Sequence, residues 1–154
     1  MKNGTGRRQP RHWRLIHPKP YAMTATDPRA TEGIEAQYRQ ALDQGRFQIQ
    51  HCDACDRAVF YPRMLCPHCG AQQLSWRTPD GRGTVYSTTT VRRKPEAGGD
   101  YNVALVDLLE GVRLMSRIEG VAPDAVRIGM AVRAQVAVTE GRGLLVFVPN
   151  KEAQ

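Results

Sequence analysis

Four cysteines carry the clearest chemistry in this chain. Cys52-Asp-Ala-Cys55 and Cys66-Pro-His-Cys69 are two C-x-x-C pairs with ten residues between them, and they account for every cysteine present. Each pair can turn two thiolates onto one ion, and together they make the four-sulfur tetrahedral set that zinc prefers. Two disulfides are the other use of four thiols. Adjacent C-x-x-C pairs make poor cross-links of long loops, and no apolar signal segment begins the chain, so the reading is a reducing, cytoplasmic setting. A catalytic dithiol needs only one pair. A structural zinc held by Cys52, Cys55, Cys66 and Cys69 is the expectation.

The remaining reactive side chains do not assemble into a catalytic set. His51 and His68 flank the cysteines, where surface hydrogen bonding or support of a turn is their ordinary use. Four thiolates already close a tetrahedral site and leave no open position for a substrate water. Asp107 and Glu110 fall on and beside a hairpin, where acids serve as solvated edge and turn residues. No serine, and no cysteine outside the two pairs, sits in a nucleophile motif, so a non-catalytic protein is expected. Gly81-Arg-Gly83 precedes a strand and not a helix, which suits a sharp turn better than a phosphate cradle. Arg92, Arg93 and Lys94 form the better candidate for holding phosphate groups, because guanidinium forks match phosphate oxygens.

The elements that must position these residues follow from length and charge. At 154 residues the chain holds one ordinary domain, or two small ones if one is stapled. The cysteine region is too short for a core of its own, so metal supplies its folding energy, roughly 10–16 kcal/mol apparent in small zinc modules. No apolar run approaches the roughly 18 residues of a membrane span. The net charge of +7 is concentrated at the start. Lys2, Arg7, Arg8, Arg11, Arg14 and Lys19 face no acid before Met23, which leaves sixteen basic and fifteen acidic residues beyond it. Residues 1–26 read as a disordered basic arm, with Met23 as the expected true start and Trp13, Leu15 and Ile16 as its one apolar cluster. The nearly neutral remainder lacks the charged groove that nucleic acid requires.

Asp27-Pro28 gives a helix start, and Ile34, Tyr38, Ala41 and Leu42 recur at helical spacing until Gly45, so a helix is expected over 27–45. Residues 46–80 are the ribbon. Phe47-Gln-Ile49-Gln leads into the first cysteine pair, and Leu74, Trp76 and the Pro79-Asp80-Gly81 turn close the module. Residues 81–150 then read as five strands. Val85, Ser87, Thr89 and Val91 alternate with Tyr86, Thr88 and Thr90. Val103–Leu108 and Val112–Ile118 flank a hairpin at Leu109-Glu110-Gly111. Met130–Val138 puts Val132, Ala134, Val136 and Val138 on one face, and Leu144–Val148 is last. The long connections follow the first and third strands. A five-stranded Greek-key barrel of the OB type has this count, with an SH3-like barrel as its rival. The fold class is therefore mainly β, with an N-terminal helix, a rubredoxin-like zinc ribbon and an OB-type barrel.

The ordered set resembles a known family. The series runs from Gly45-Arg-Phe through Cys52-x-x-Cys55, Tyr61-Pro62-Arg63, Cys66-Pro-x-Cys69 and Gly81-x-Gly83-x-Val85-Tyr86-Ser87. It continues through Val106 to Gly111, Arg113 to Gly120 and Ile128-Gly129-Met130-x-Val132, to Phe147-Val148-Pro149. This is similar to the zinc-ribbon/OB-fold acyl-CoA-associated family, over about residues 31–149. Family helices often carry an aromatic pair before the glycine; here Tyr38 fits the first place and Arg39 replaces the second. The resemblance implies a non-catalytic subunit that associates with a thiolase-like enzyme, or a hydratase, and helps hold an acyl-CoA thioester. Two alternatives stay open. Ribbons and OB barrels also bind single-stranded nucleic acid, and Cys66-Pro-His-Cys69-Gly70 resembles a rubredoxin knuckle, which would make an iron electron carrier.

Overall fold

The computed structural model describes residues 33–150. The basic arm, Met23, the Trp13 cluster and the Asp27-Pro28 start lie outside them. Helix α1 spans Ile34–Asp43, with Gly33 in an extended conformation at its N-cap, so the helix described is shorter than the 27–45 expectation. Its end is set by Gly45 at φ 75°. The Gly45 amide donates to the Leu42 carbonyl and the Arg46 amide to the Ala41 carbonyl, each at 2.8 Å. This is the Schellman closure that a left-handed glycine permits. Tyr38, Ala41 and Leu42 are the buried face of α1.

The ribbon is a three-stranded antiparallel sheet of β1 (Ile49–Cys52), β2 (Ala58–Val59) and β3 (Leu74–Arg77), in the order β2-β1-β3. Its central strand explains one departure from simple alternation. Gln50 is buried, because both faces of β1 are covered. Both ends of the amide are engaged: Gln50 Nε2 donates to the Arg63 carbonyl (3.0 Å) and Oε1 accepts from the Arg63 amide (2.7 Å). That exchange fixes the loop between the cysteine pairs.

The barrel comprises β4 (Arg82–Val91), β5 (Tyr101–Leu108), β6 (Arg113–Ser116), β7 (Ala131–Thr139) and β8 (Arg142–Pro149), in the order β6-β5-β4-β7-β8. The two ends meet through a parallel bridge between Ile118 and Phe147. The Phe147 amide donates to the Arg117 carbonyl (2.9 Å) and the Glu119 amide to the Phe147 carbonyl (2.7 Å). This curled, OB-like five-stranded sheet answers the choice of barrel.

One strand reading needs correction. The alternation of Val85, Ser87, Thr89 and Val91 fails after Val85, because Tyr86 is a bulge: Val85 pairs with Val106 but Ser87 already pairs with Leu105. A one-residue slip exchanges the faces of everything beyond it. Thr88 and Thr90 therefore stand opposite the buried Ala104 and Asn102. Thr90 Oγ1 donates to the Pro123 carbonyl at 3.1 Å. Asn102 itself bonds both ways to the Ile118 backbone, at 2.7 and 2.8 Å, and so anchors the long crossover after β6.

Phe147, Val85, Val106 and Val132 centre the core, and Tyr38, Leu42, Phe47 and Ile49 from the helix and ribbon belong to the same cluster. Gly143 makes the close approach of helix to barrel possible. A Cβ there would lie 1.9 Å from the Leu42 carbonyl oxygen. The Gly143 amide donates to Asp43 Oδ1 at 2.8 Å.

Candidate functional site

Two matching turns build the thiolate centre. In the first, the Cys52 amide donates to the Arg57 carbonyl (2.9 Å) and the Asp56 amide to the Cys52 carbonyl (2.9 Å). In the second, the Cys66 amide donates to the Ala71 carbonyl (2.8 Å) and the Gly70 amide to the Cys66 carbonyl (2.9 Å). The same position of each turn is left-handed, Gly70 at φ 77° and Asp56 at φ 57°. Glycine takes that conformation freely, and Asp is among the few other residues that tolerate it. Gly70 was legible in the sequence as the last residue of the rubredoxin-like knuckle. Asp56 was not, although its place after Cys55 copies that of Gly70 after Cys69.

The four sulfurs converge. Cys52 Sγ lies 3.6 Å from Cys69 Sγ, Cys55 Sγ lies 3.7 Å from Cys66 Sγ, and all four fall within 4.8 Å of one another. A regular tetrahedron with zinc–sulfur bonds of about 2.3 Å has edges of about 3.8 Å, so the donor set fits the ion. Among the described residues this is the one cluster of metal-ligating side chains with such convergence. Burial pushes the Cys66 thiol up, but the amides of His68 and Cys69 and the neighbouring thiols outweigh it and hold Cys66 at about 6. This lowering favours the thiolate, the form that binds metal. Burial and the surrounding sulfurs push Cys55 the other way, to about 12, so zinc loading is coupled to proton release there. His68 contributes its backbone amide, 3.4 Å from Cys66 Sγ. His51 turns its Nε2 to Asp56 Oδ1 at 3.3 Å. Zinc is the structural cofactor of this ribbon.

The arginine loop after β4 is brought together, but largely on itself. Arg92 Nη1 lies 2.5 Å from Asp100 Oδ2, and the Arg93 amide donates to Asp100 Oδ1 at 2.9 Å. The Arg93 guanidinium lies over the Tyr101 ring at 5.9 Å. Lys94 occupies the N-cap of the short helical turn Pro95–Ala97. The Asp107 carboxylate is bidentate with Arg113 (2.6 and 2.9 Å), and Arg113 covers the Tyr86 ring at 3.3 Å. Glu110 Oε1 accepts from the Asp80 amide at 2.6 Å, tying the hairpin to the ribbon–barrel linker.

An apolar groove of about 390 Å³ lies between α1, the Phe60–Tyr61 loop and the barrel, lined by Leu42, Tyr61, Met115, Leu144 and their neighbours. Met115 is 71% exposed, Leu144 49% and Tyr61 40%. The helix enters this face through Tyr38, which packs edge-on to Phe60 and Tyr61 and stacks on Trp76 at 6.4 Å. Trp76 Nε1 donates to Gln37 Oε1 at 3.2 Å. Arg39, in place of a second aromatic, is exposed and pairs with Glu35 at 2.7 Å. Periodicity in the helix suggested Tyr38 was buried; the convergence of Phe60, Tyr61 and Trp76 on it is tertiary and had no local signal.

Comparison with known proteins agrees with this geometry. The family described as "ChsH2, rubredoxin-like zinc ribbon domain" matches residues 39–75, and "ChsH2, C-terminal OB-fold domain" matches 76–137. A solved chain described as "Ltp2-ChsH2(DUF35) aldolase" is 36% identical, with a TM-score of 0.68 over 78% of this chain and 97% of that one. A "Probable enoyl-CoA hydratase alpha subunit" from Thermomonospora curvata is 38% identical over 132 residues, 78% of this chain and 41% of the relative. A "DUF35 domain-containing scaffold protein" from Methanocaldococcus jannaschii is 32% identical over 87 residues, 54% of this chain and 62% of that protein. The chain thus spans about two fifths of the length of the hydratase relative and about three fifths of the scaffold relative. No described helix is long and apolar enough to cross a membrane.

Proposed function

The chain belongs to the DUF35/ChsH2 family of zinc-ribbon and OB-fold proteins, and on that premise we propose that it is an accessory subunit without turnover of its own, which helps a partner enzyme hold an acyl-CoA thioester. The partner is a thiolase-like enzyme or a hydratase. The observation that carries the proposal is the exposed apolar groove at Tyr61, Met115 and Leu144, in a chain whose metal centre has four ligands that leave no position for substrate. Such a groove with charged residues at its margin is the usual form of a protein contact. The relatives' names, an aldolase, a hydratase subunit and scaffold proteins, support a place beside acyl-CoA enzymes. The chain's own contribution is to shape and cover the site: zinc holds the ribbon, the ribbon holds the Phe60–Tyr61 loop, and that loop and α1 form one wall of the groove.

The two alternatives have less support. Stacking of single-stranded bases needs open aromatic faces, whereas Arg113 lies over Tyr86 and Arg93 over Tyr101. An iron carrier would be a red protein with a reversible redox change.

Co-purification with a thiolase-like enzyme or hydratase, followed by calorimetry with an acyl-CoA, tests the proposal. The expected result is a stable complex that binds the thioester more tightly than this subunit alone, and no product from the isolated chain. Met115→Glu with Leu144→Glu should abolish the complex while zinc content stays intact. A chain that stays alone and binds single-stranded DNA with steep salt dependence would overturn it.

A further inference from the structure

The seam between ribbon and barrel carries a second constellation, away from the apolar groove. A polar groove of about 350 Å³ opens between Gly45–Phe47, the linker Thr78–Gly81 and residues 133–136 of β7. Arg82 and Arg133 stand directly opposite one another on antiparallel strands at this place. Like charges so paired repel and weaken a sheet unless an opposite charge lies close by. Asp80 is that charge in part. Its carboxylate accepts from Arg82 Nε at 2.6 Å, and it is held below the usual carboxylate range first by that bond and less strongly by the field of Arg133. Arg46 reaches the groove from the chain leaving α1. Arg82 and Arg133 thus act on the one carboxylate, while Arg46 lines the same groove with its Nη2 donating to Gln44 Oε1; Arg77, which pairs with Asp53, lines a separate cavity across the linker.

The backbone adds a donor. The Ala134 amide donates to the Gly81 carbonyl at 2.8 Å. Strand periodicity points the Val136 amide at the same edge, past the last β4–β7 pair at Ala134's neighbours, with no backbone partner on that edge among the described residues. The groove's one aromatic, Phe47, is buried, so no ring is offered to a base.

We infer that this groove binds a phosphate or pyrophosphate group, with Arg46 and Arg133 as its charged contacts. Two positive charges in excess, a backbone amide and room for the anion match phosphate oxygens. The arginines of the loop after β4 are held by an acid or a ring, Arg92 by Asp100 and Arg93 by Tyr101, whereas the Arg46 guanidinium bonds to the neutral side-chain amide of Gln44, which leaves its charge uncompensated. The identification of the phosphate with that of coenzyme A rests on the function proposed above; the anion site itself does not.

Calorimetric titration of the zinc-loaded full chain with pyrophosphate, and separately with coenzyme A, tests it on three proteins: wild type, Arg46→Gln with Arg133→Gln, and Arg92→Gln with Arg93→Gln and Lys94→Gln. Loss of two charge-assisted contacts should weaken both ligands by at least about tenfold in the double variant. The loop variant should bind within about twofold of wild type, and neither variant should melt appreciably below wild type because the side chains are exposed. Wild-type protein that binds neither ligand overturns the site, as does a double variant that binds like wild type. A loss confined to the loop variant also overturns it, moving the phosphates to the loop while leaving the acyl-CoA proposal standing. Pyrophosphate binding that depends on Arg46 and Arg133, without coenzyme A binding, supports the groove and removes the coenzyme as its source.

Discussion

The ribbon and the barrel solve the same problem, holding strands together, by opposite means. The ribbon's own buried cluster is Cys52, Val59 and Cys66, with Cys55, Ala71 and Leu74 against it. Half of those six side chains are metal ligands, so its cohesion is concentrated in a few bonds. The barrel spreads its cohesion over Val85, Val106, Leu108, Leu114, Val132 and Phe147, none of which is decisive alone by type. Concentrated stabilisation is specified by a short motif and fails all at once. Distributed stabilisation is specified by a pattern and fails by degrees.

The sharpest way to break this contrast is at the metal. Cys66→Ser, or zinc removal by a chelator, should unfold the ribbon, because thiolate–metal bonds replace a core that is too small. Elemental analysis should show one zinc per wild-type chain and loss of it in the variant, with a large fall in melting temperature. Wild-type melting in the variant would falsify the contrast. Next comes the barrel's centre. Phe147→Ala should cost about 3–5 kcal/mol by denaturant unfolding, yet the folded fraction should retain its zinc. Zinc loss at native conditions in that variant would show the two regions to be equivalent.

A smaller effect is expected where helix and barrel touch. Gly143→Ala puts a methyl against the Leu42 carbonyl, which is backbone and cannot swing aside. The helix must shift, at a cost of about 1–3 kcal/mol, and burial of Tyr38 should fall in parallel; unchanged urea unfolding would remove the close approach. The smallest effect is on the barrel surface. The Arg113 bond holds the Asp107 carboxyl below its usual range. Asp107 therefore adds stability above the unfolded carboxylate range, and that contribution is lost as pH falls through its lower folded value. The pair is exposed and screened, so Asp107→Asn should only slightly flatten the acid limb of the melting curve. A marked loss at neutral pH would mean the pair is structural.

What the sequence disclosed follows the same division. The four ligands, the helix end at Gly45 and the five strands all rest on local signals: paired cysteines, a left-handed glycine and β-branched alternation. Gln50 and Asn102 were hidden, since both are buried amides whose partners, Arg63 and Ile118, lie thirteen and sixteen residues away. The bulge at Tyr86 was hidden because β-branched residues continue on both faces through it, so no break in pattern marks the slip. Closure of the barrel rests on the Ile118–Phe147 bridge and on Ser116 Oγ donating to the Leu145 carbonyl, between segments that only the completed curl brings together. The arginine groove was invisible for the same reason. Arg46, Arg82 and Arg133 are far apart along the chain and converge only through strand pairing and the helix turn.

The core that Tyr38, Phe47 and Ile49 share with Val85 and Phe147 has a consequence for dissecting this molecule. The sequence families meet at residues 75 and 76, but no apolar boundary lies there. A fragment beginning at Trp76 would present the floor of its own interior to water, and one ending at Ser75 would carry Phe47 and Ile49 with nothing to lie against. The join between the two sequence families is a seam of descent, not of folding. Amide hydrogens on both sides of it should exchange with solvent as one cooperative unit.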